Sequence, residues 1–351
     1  MREQDLSEDL QKQVQQAAAT GTALRIVGSD SKAFYGGACQ ATTPLPMAGH
    51  RGIIDYEPSE LVITARSGTS LNNITSLLAQ HRQMLAFEPP GFGEYATLGG
   101  TLACGFSGSR RPFVGSARDF MLGCKIINGG GEVLNFGGRV MKNVAGFDVS
   151  RLMVGALGSL GVLLEVSLRV LPIPKSELTL AYTLSAGEAV TKMNALSVRP
   201  WPLSASAYDG EQLRVRLSGA QAAVQAAARQ LGGDTDVQGE CFWQDLREQR
   251  LTYFQQPGNL WRISVAPASA SLSLSGDWFL DWGGALRWLK TEEPAEAIHA
   301  ATAKVGGYAV CFRGNNKTDW IRLDPALMAL QQKIRAAFDP LKLFNPGRLH
   351  R

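Results

Sequence analysis

The sequence predicts an α+β chain of two domains, and three observations carry that expectation. Residues 160–171 alternate strictly: Val162, Leu164, Val166, Leu168 and Val170 fall on one face, and Glu165, Ser167 and Arg169 on the other. Only a strand repeats every two residues, so this is a half-buried strand. Segments with helical period are interleaved with short β-branched runs before and after it. The triplet Pro172-Ile173-Pro174 then breaks the pattern and marks a domain boundary.

The elements follow in order. Residues 8–19 read as a short helix, and Leu24-Arg25-Ile26-Val27 as a strand that runs into Gly28-Ser29-Asp30-Ser31-Lys32. Residues 61–65 are a second strand, rich in β-branched side chains. Thr69 or Ser70 caps a helix whose apolar positions are Leu71, Ile74, Leu77 and Leu78. Residues 120–128, the turn Gly129-Gly130-Gly131 and residues 132–136 read as a β-hairpin with a loose glycine turn. Beyond the proline break, helices at 186–196 and 220–231 alternate with strands such as 213–217, among the anchors Trp201, Trp243, Trp261, Trp278, Trp282 and Trp288. The tail carries a helix with Leu327, Leu330, Ile334 and Phe338 on one face. It closes with the turn signals Phe338-Asp339-Pro340 and Phe344-Asn345-Pro346-Gly347. The expected division is 1–172, then 173–325, then a segment 326–351 that packs back on the first domain.

Composition narrows the class. At 351 residues, with 45% hydrophobic and 19% charged residues, the chain has material for a sizeable core. The net charge of +4 is mild and no run of basic residues occurs, which argues against nucleic acid. Cys39, Cys104, Cys124, Cys241 and Cys311 are scattered. That argues against a disulfide framework and against a cysteine-held iron–sulfur cluster. The polar start and the lack of a long apolar run lead us to expect a cytoplasmic protein.

The chemistry concentrates in a glycine-dense stretch. It runs from Pro89-Pro90-Gly91-Phe92-Gly93 through Thr97-Leu98-Gly99-Gly100-Thr101-Leu102-Ala103 to Cys104-Gly105-Phe106-Ser107-Gly108-Ser109-Arg110-Arg111. Glycine lets backbone amides approach an anion closely, and arginine adds charge-assisted hydrogen bonds. This composition suits a diphosphate.

Five segments in order carry a resemblance. They are Gly28-Ser29-Asp30-Ser31, Thr97-Leu98-Gly99-Gly100, Lys142-Asn143-Val144-Ala145-Gly146-Phe147-Asp148, Gly158-Ser159-Leu160-Gly161-Val162, and the closing Asp339-Pro340 with Asn345-Pro346-Gly347. Together they resemble the vanillyl-alcohol-oxidase (PCMH) type of FAD-binding fold, in its FAD-dependent 2-hydroxyacid dehydrogenase branch. Arg110-Arg111-Pro112, Leu260-Trp261-Arg262-Ile263-Ser264 and Asp281-Trp282-Gly283-Gly284 extend the likeness to the family of FAD-binding (E) subunits of bacterial glycolate oxidases, or glycolate dehydrogenases.

The resemblance implies a two-subdomain FAD-binding domain, a smaller α+β cap and a returning C-terminal segment. It implies that Gly28, Ser29, Asp30, Ser31 and Lys32 hold the FAD diphosphate. Pro89, Thr97, Gly99, Gly100, Ser107 and Gly108 would line the flavin's ribityl and diphosphate side. Gly161 and Val162 would meet the adenine end. Arg110 and Arg111 would neutralise phosphate or hold a substrate carboxylate, or pair with an acid. The segment Lys142–Asp148 would lie near the flavin or stabilise the fold. The first loop holds no histidine, so FAD is expected to be noncovalent.

A larger FAD-binding subunit and an iron–sulfur subunit are the implied partners, a small 2-hydroxy acid the implied substrate, and no metal is expected in this chain. Attachment at an inner membrane would run through those partners. Members of the branch that act alone carry a His-x-Gly-Asp-Gly-Asn-x-His motif, which is absent here. The catalytic group is therefore unassigned, with Arg262 and Arg287 as candidates for holding a carboxylate or shaping a subunit surface. A stand-alone 2-hydroxyacid (D-lactate-type) dehydrogenase and a non-catalytic, flavin-stabilised assembly subunit are the alternatives.

Overall fold

A computed structural model describes residues 3–138, 149–314 and 320–349. The motif Lys142–Asp148 lies outside the described residues. The chain forms two compact units. The first is Met1–Phe106 with Ser116–Ile173 and Leu323–Arg351; the second is Ser107–Gly115 with Pro174–Arg322.

The first unit is built on a five-stranded antiparallel sheet, in the order Ile53–Glu57, Val62–Arg66, Val162–Arg169, Met121–Ile127, Val133–Gly137. The alternating segment is its central strand, and it is buried on both faces rather than one. On the face expected to be polar, Ser167 is buried because it meets Thr64 in a 2.8 Å hydroxyl–hydroxyl bond, while Glu165 and Arg169 stay half-buried. The glycine turn closes the hairpin as expected, with Asn128 Oδ1 accepting from the amides of Gly130 and Glu132 at 3.0 and 2.9 Å. Ser70 caps the helix Leu71–Gln80, accepting from Asn73 N, and Leu71, Ile74 and Leu78 are buried.

A second, parallel pair of strands, Leu24–Val27 with Thr43–Pro46, packs in one core with the helix Ser7–Thr20. Leu10, Val14, Leu24, Leu45, Val162 and Phe344 meet there. Phe344 comes from the C-terminal segment, which returns to this unit. The buried Asp339 accepts from Leu343 N and Phe344 N at 2.8 and 2.9 Å. The tail helix Pro325–Phe338 differs from its pattern, because none of its residues is buried.

The second unit is an eight-stranded antiparallel sheet. Its strands run in the order Asp234–Thr235, Ser176–Thr183, Gln212–Gly219, Leu203–Tyr208, Asp277–Asp281, Leu286–Lys290, Leu260–Ser264, Tyr308–Arg313. The helices Ala186–Ser197 and Gln221–Leu231 bury Met193, Leu196 and Val224 against Leu180, Leu213 and Val215 of the sheet. The short excursion Ser107–Gly115 belongs here because its polar groups do. Ser109 Oγ donates to Asp281 at 2.9 Å, Arg110 pairs with Glu177 and donates to Ser218 at 3.1 Å, and Trp282 Nε1 donates to Gly108 O at 3.0 Å.

Candidate functional site: a glycine-walled cavity in the first unit

Three walls in the first unit enclose a cavity of about 340 Å³, within the range of roughly 300–1,000 Å³ typical of small-molecule sites. The first wall is the loop that follows strand Leu24–Val27. Asp30 takes a left-handed conformation, with φ of 58°, and Ala33 N donates back to its carbonyl at 2.9 Å. Arg25 spans the loop to Asp30 Oδ2 at 2.8 Å. Ser31 Oγ and Lys32 Nζ both donate to Gly91 O, at 3.1 and 3.0 Å. The Lys32 ammonium is thereby held at a nearly buried position.

The second wall is the helix Leu98–Cys104, so the Gly99-Gly100 pair is helical. Thr97 caps it, accepting from Gly100 N at 3.3 Å. Gly99 is required by close packing: a Cβ there would sit 2.8 Å from Ser67 Cβ. A Cβ on Gly28 would likewise collide with Thr97 Oγ1, so the first loop meets the second wall because position 28 is glycine.

The third wall joins Leu157, Gly158 and Gly161 to the C-terminal residues Asn345 and Arg348. The Asn345 amide bonds in both directions: Oδ1 accepts from Ile26 N at 2.8 Å and Nδ2 donates to Leu157 O at 2.7 Å. Arg348 Nη1 donates to Ala33 O at 2.8 Å and so clasps the first loop.

The lining carries Arg25, Lys32 and Arg348 against the single carboxylate Asp30, a surplus of two positive charges. Cys104 also lines it, and burial pushes its thiol up to about 11 against the pull of Lys32 and Arg348. It stays a neutral, inert thiol at physiological pH. The hydroxyl of Ser67, a further lining residue, is buried without a partner. A cationic cavity with glycine walls and a spare hydroxyl fits an elongated, oxygen-rich dianion such as a dinucleotide diphosphate.

Of the residues expected from sequence, Gly28, Ser29, Asp30, Ser31, Lys32, Thr97, Gly99, Gly100 and Gly161 line this cavity. Pro89 and Val162 do not; Val162 is fully buried in the core with Leu10 and Leu164. Ser107, Gly108, Arg110 and Arg111 belong to the second unit, where the Arg110 guanidinium is engaged by Glu177 and Ser218. Arg287 is buried and donates to the carbonyls of Ala270, Gly284 and Ser269, so it binds its own chain. Arg262 and Arg111 stack on Trp282, 5.0 and 4.3 Å from the ring centroid. Arg25 and Cys104 line the cavity as well, from the strand before the first loop and from the glycine-dense stretch, while Ser67 and Arg348 carry no local motif and reach it through the fold.

The comparisons with known proteins agree with this geometry. Residues 5–137 match the family described as an FAD binding domain. The structure resembles p-cresol methylhydroxylase with substrate bound, at a TM-score of 0.73 and 15% identity, covering 98% of this chain and 87% of that one. The fold is therefore the PCMH type of FAD-binding fold with a smaller α+β domain, and the chain is a flavoprotein of the oxidoreductase class whose cofactor is FAD. It is 47% identical to glycolate oxidase subunit GlcE of Escherichia coli (strain K12) over 350 residues, spanning 100% of this chain and 99% of that one. A D-lactate dehydrogenase of Anaerostipes hadrus is 31% identical over 128 residues, which is 36% of this chain and 26% of that protein. The chain belongs to the family of the glycolate oxidase subunit GlcE.

Proposed function

We propose that this chain is the FAD-binding subunit of a complex that oxidises glycolate to glyoxylate and passes the electrons to an iron–sulfur partner. The full-length likeness to a glycolate oxidase subunit is the observation that carries the reading. The cavity supports it. Gly28–Lys32, Thr97, Gly99, Gly100 and Gly161 would hold FAD noncovalently, with Lys32 and Arg348 offsetting the diphosphate charge. Bound there, FAD supplies two-electron redox chemistry that amino-acid side chains lack.

The chain's own part is to bind, orient and shield. Arg348 and Asn345 hold the loops that form the cavity, and the neutral Cys104 thiol adds a wall without reactivity. Pro89 would be a more distant cofactor neighbour in the same unit, and Arg262 a candidate for holding a carboxylate.

A second flavoprotein subunit is the expected site of much of the substrate chemistry. An iron–sulfur cluster on a separate chain is the expected electron acceptor. No helix among the described residues is long and apolar enough to cross a membrane. We place the chain in the cytoplasm, with any membrane attachment made through partners.

Co-expression with candidate subunits tests the reading. The chain should purify with a flavin spectrum, and the complex should reduce a dye with glycolate. Gly99→Val, which forces the wall against Ser67, should lower the FAD count per complex and the rate together. A wild-type chain that cannot be loaded with FAD would overturn the reading. A complex that keeps its full rate with this site empty would leave only an assembly role. Dye reduction by the isolated chain with D-lactate would instead favour a stand-alone dehydrogenase.

A further inference from the structure

Ser67 directly follows the strand Val62–Arg66 and is 2% exposed. Its backbone is fully used: N donates to Leu164 O at 2.8 Å, and O accepts from Gly99 N at 2.7 Å. Its hydroxyl has no partner. Several other buried hydroxyls of the first unit are satisfied. Thr64 and Ser167 bond to each other, Thr69 donates to Gly52 O at 3.1 Å, and Ser159 donates to Ala156 O at 2.7 Å. A buried polar group left unpaired lowers stability and calls for an explanation.

Position supplies one. Ser67 lines the cavity beside Gly99, Thr97 and Gly28. Rotation about a single side-chain bond moves a serine hydroxyl among three staggered positions. Resting on the FAD reading above, we propose that Ser67 is a cofactor-binding residue whose hydroxyl donates to an oxygen of the dinucleotide's diphosphate–ribityl stretch. The hydroxyl is then an uncompensated cost in the empty protein that the ligand removes on binding.

Thr101 is a natural control. Its hydroxyl is also buried and unpartnered, on the same helix wall, yet it does not line the cavity. The experiment compares Ser67→Ala and Thr101→Val in the full chain, by titrating FAD and ADP and melting the FAD-free proteins. Ser67→Ala should weaken FAD binding about tenfold or more, the loss of a hydrogen bond to a charged or strongly polar acceptor. Its FAD-free form should melt no lower than wild type, because an orphan has been removed. Thr101→Val should show the same stability behaviour with wild-type FAD affinity.

These opposite signs separate a ligand contact from a structural role. A loss shared by ADP places the acceptor on the diphosphate, and a loss confined to FAD places it on the ribityl side; either supports the proposal. Unchanged FAD affinity in Ser67→Ala, or an equal loss in Thr101→Val, overturns it while wild-type binding leaves the FAD reading intact. A wild type that binds no FAD overturns both.

Discussion

His50 shows how one side chain couples burial to pH. Its ring is fully buried; Nδ1 accepts from Leu6 N at 3.0 Å, and Nε2 faces Leu164 O at 3.1 Å. These partners require the neutral ring with its proton on Nε2. Burial pushes the imidazole below its ordinary value of 6.5, although Asp5, 3.7 Å away, pulls the other way. The unfolded chain therefore takes up a proton at a higher pH than the folded one. Stability from this group is complete above pH 6.5 and is lost as the pH falls below it, by at most about 1.4 kcal/mol per pH unit. Denaturation midpoints measured between neutral and mildly acid pH should fall more steeply for wild type than for His50→Asn. Equal slopes would mean that the ring titrates normally. His50 is one of four histidines scattered through the sequence, and only the meeting of the amino terminus with the central strand reveals its role.

At the level of elements, the C-terminal turn is held by side chains more than by packing of the helix before it. Asn345 bonds Ile26 N and Leu157 O, and it sits at a φ of 43°, a conformation asparagine tolerates better than most residues. Gly158 lets it come close, since a Cβ there would lie 2.7 Å from Asn345 Nδ2. Asn345→Ala should cost about 2–4 kcal/mol, because it strands a part-buried donor and a buried acceptor and adds backbone strain. Denaturant titration reads the cost, and faster exchange of the Ile26 amide localises it. A change within about 0.5 kcal/mol would show that the turn stands without this residue. The tail helix teaches the reverse lesson. Its 3.6-residue apolar pattern was legible, but Leu327 and Leu330 remain 44% and 54% exposed. Periodicity states which face is apolar and leaves open whether this chain covers it.

For the whole molecule, every cavity-lining residue belongs to the first unit. A ligand that binds only the folded form stabilises what it touches, by about 2.7 kcal/mol at a hundredfold excess over Kd. Added FAD should therefore slow hydrogen exchange most in residues 25–33, 97–104 and 157–161. Peptides from the second unit's sheet should respond less. Protection concentrated in Pro174–Arg322 would refute the placement of the cofactor.

The sequence by itself determined the α+β class, most helices and strands, and the glycines that line the cavity. These are properties of local period, turn chemistry and motif order. The tertiary structure alone decided the rest. It carried Ser107–Gly115 into the second unit, because Ser109, Arg110 and Gly108 find their hydrogen-bond partners there. It brought Arg25, Ser67 and Arg348 to one cavity. Ser67 reaches the cavity through sheet pairing and Arg348 through the returning tail, and positions brought together from so far apart in the chain carry no local signal of it.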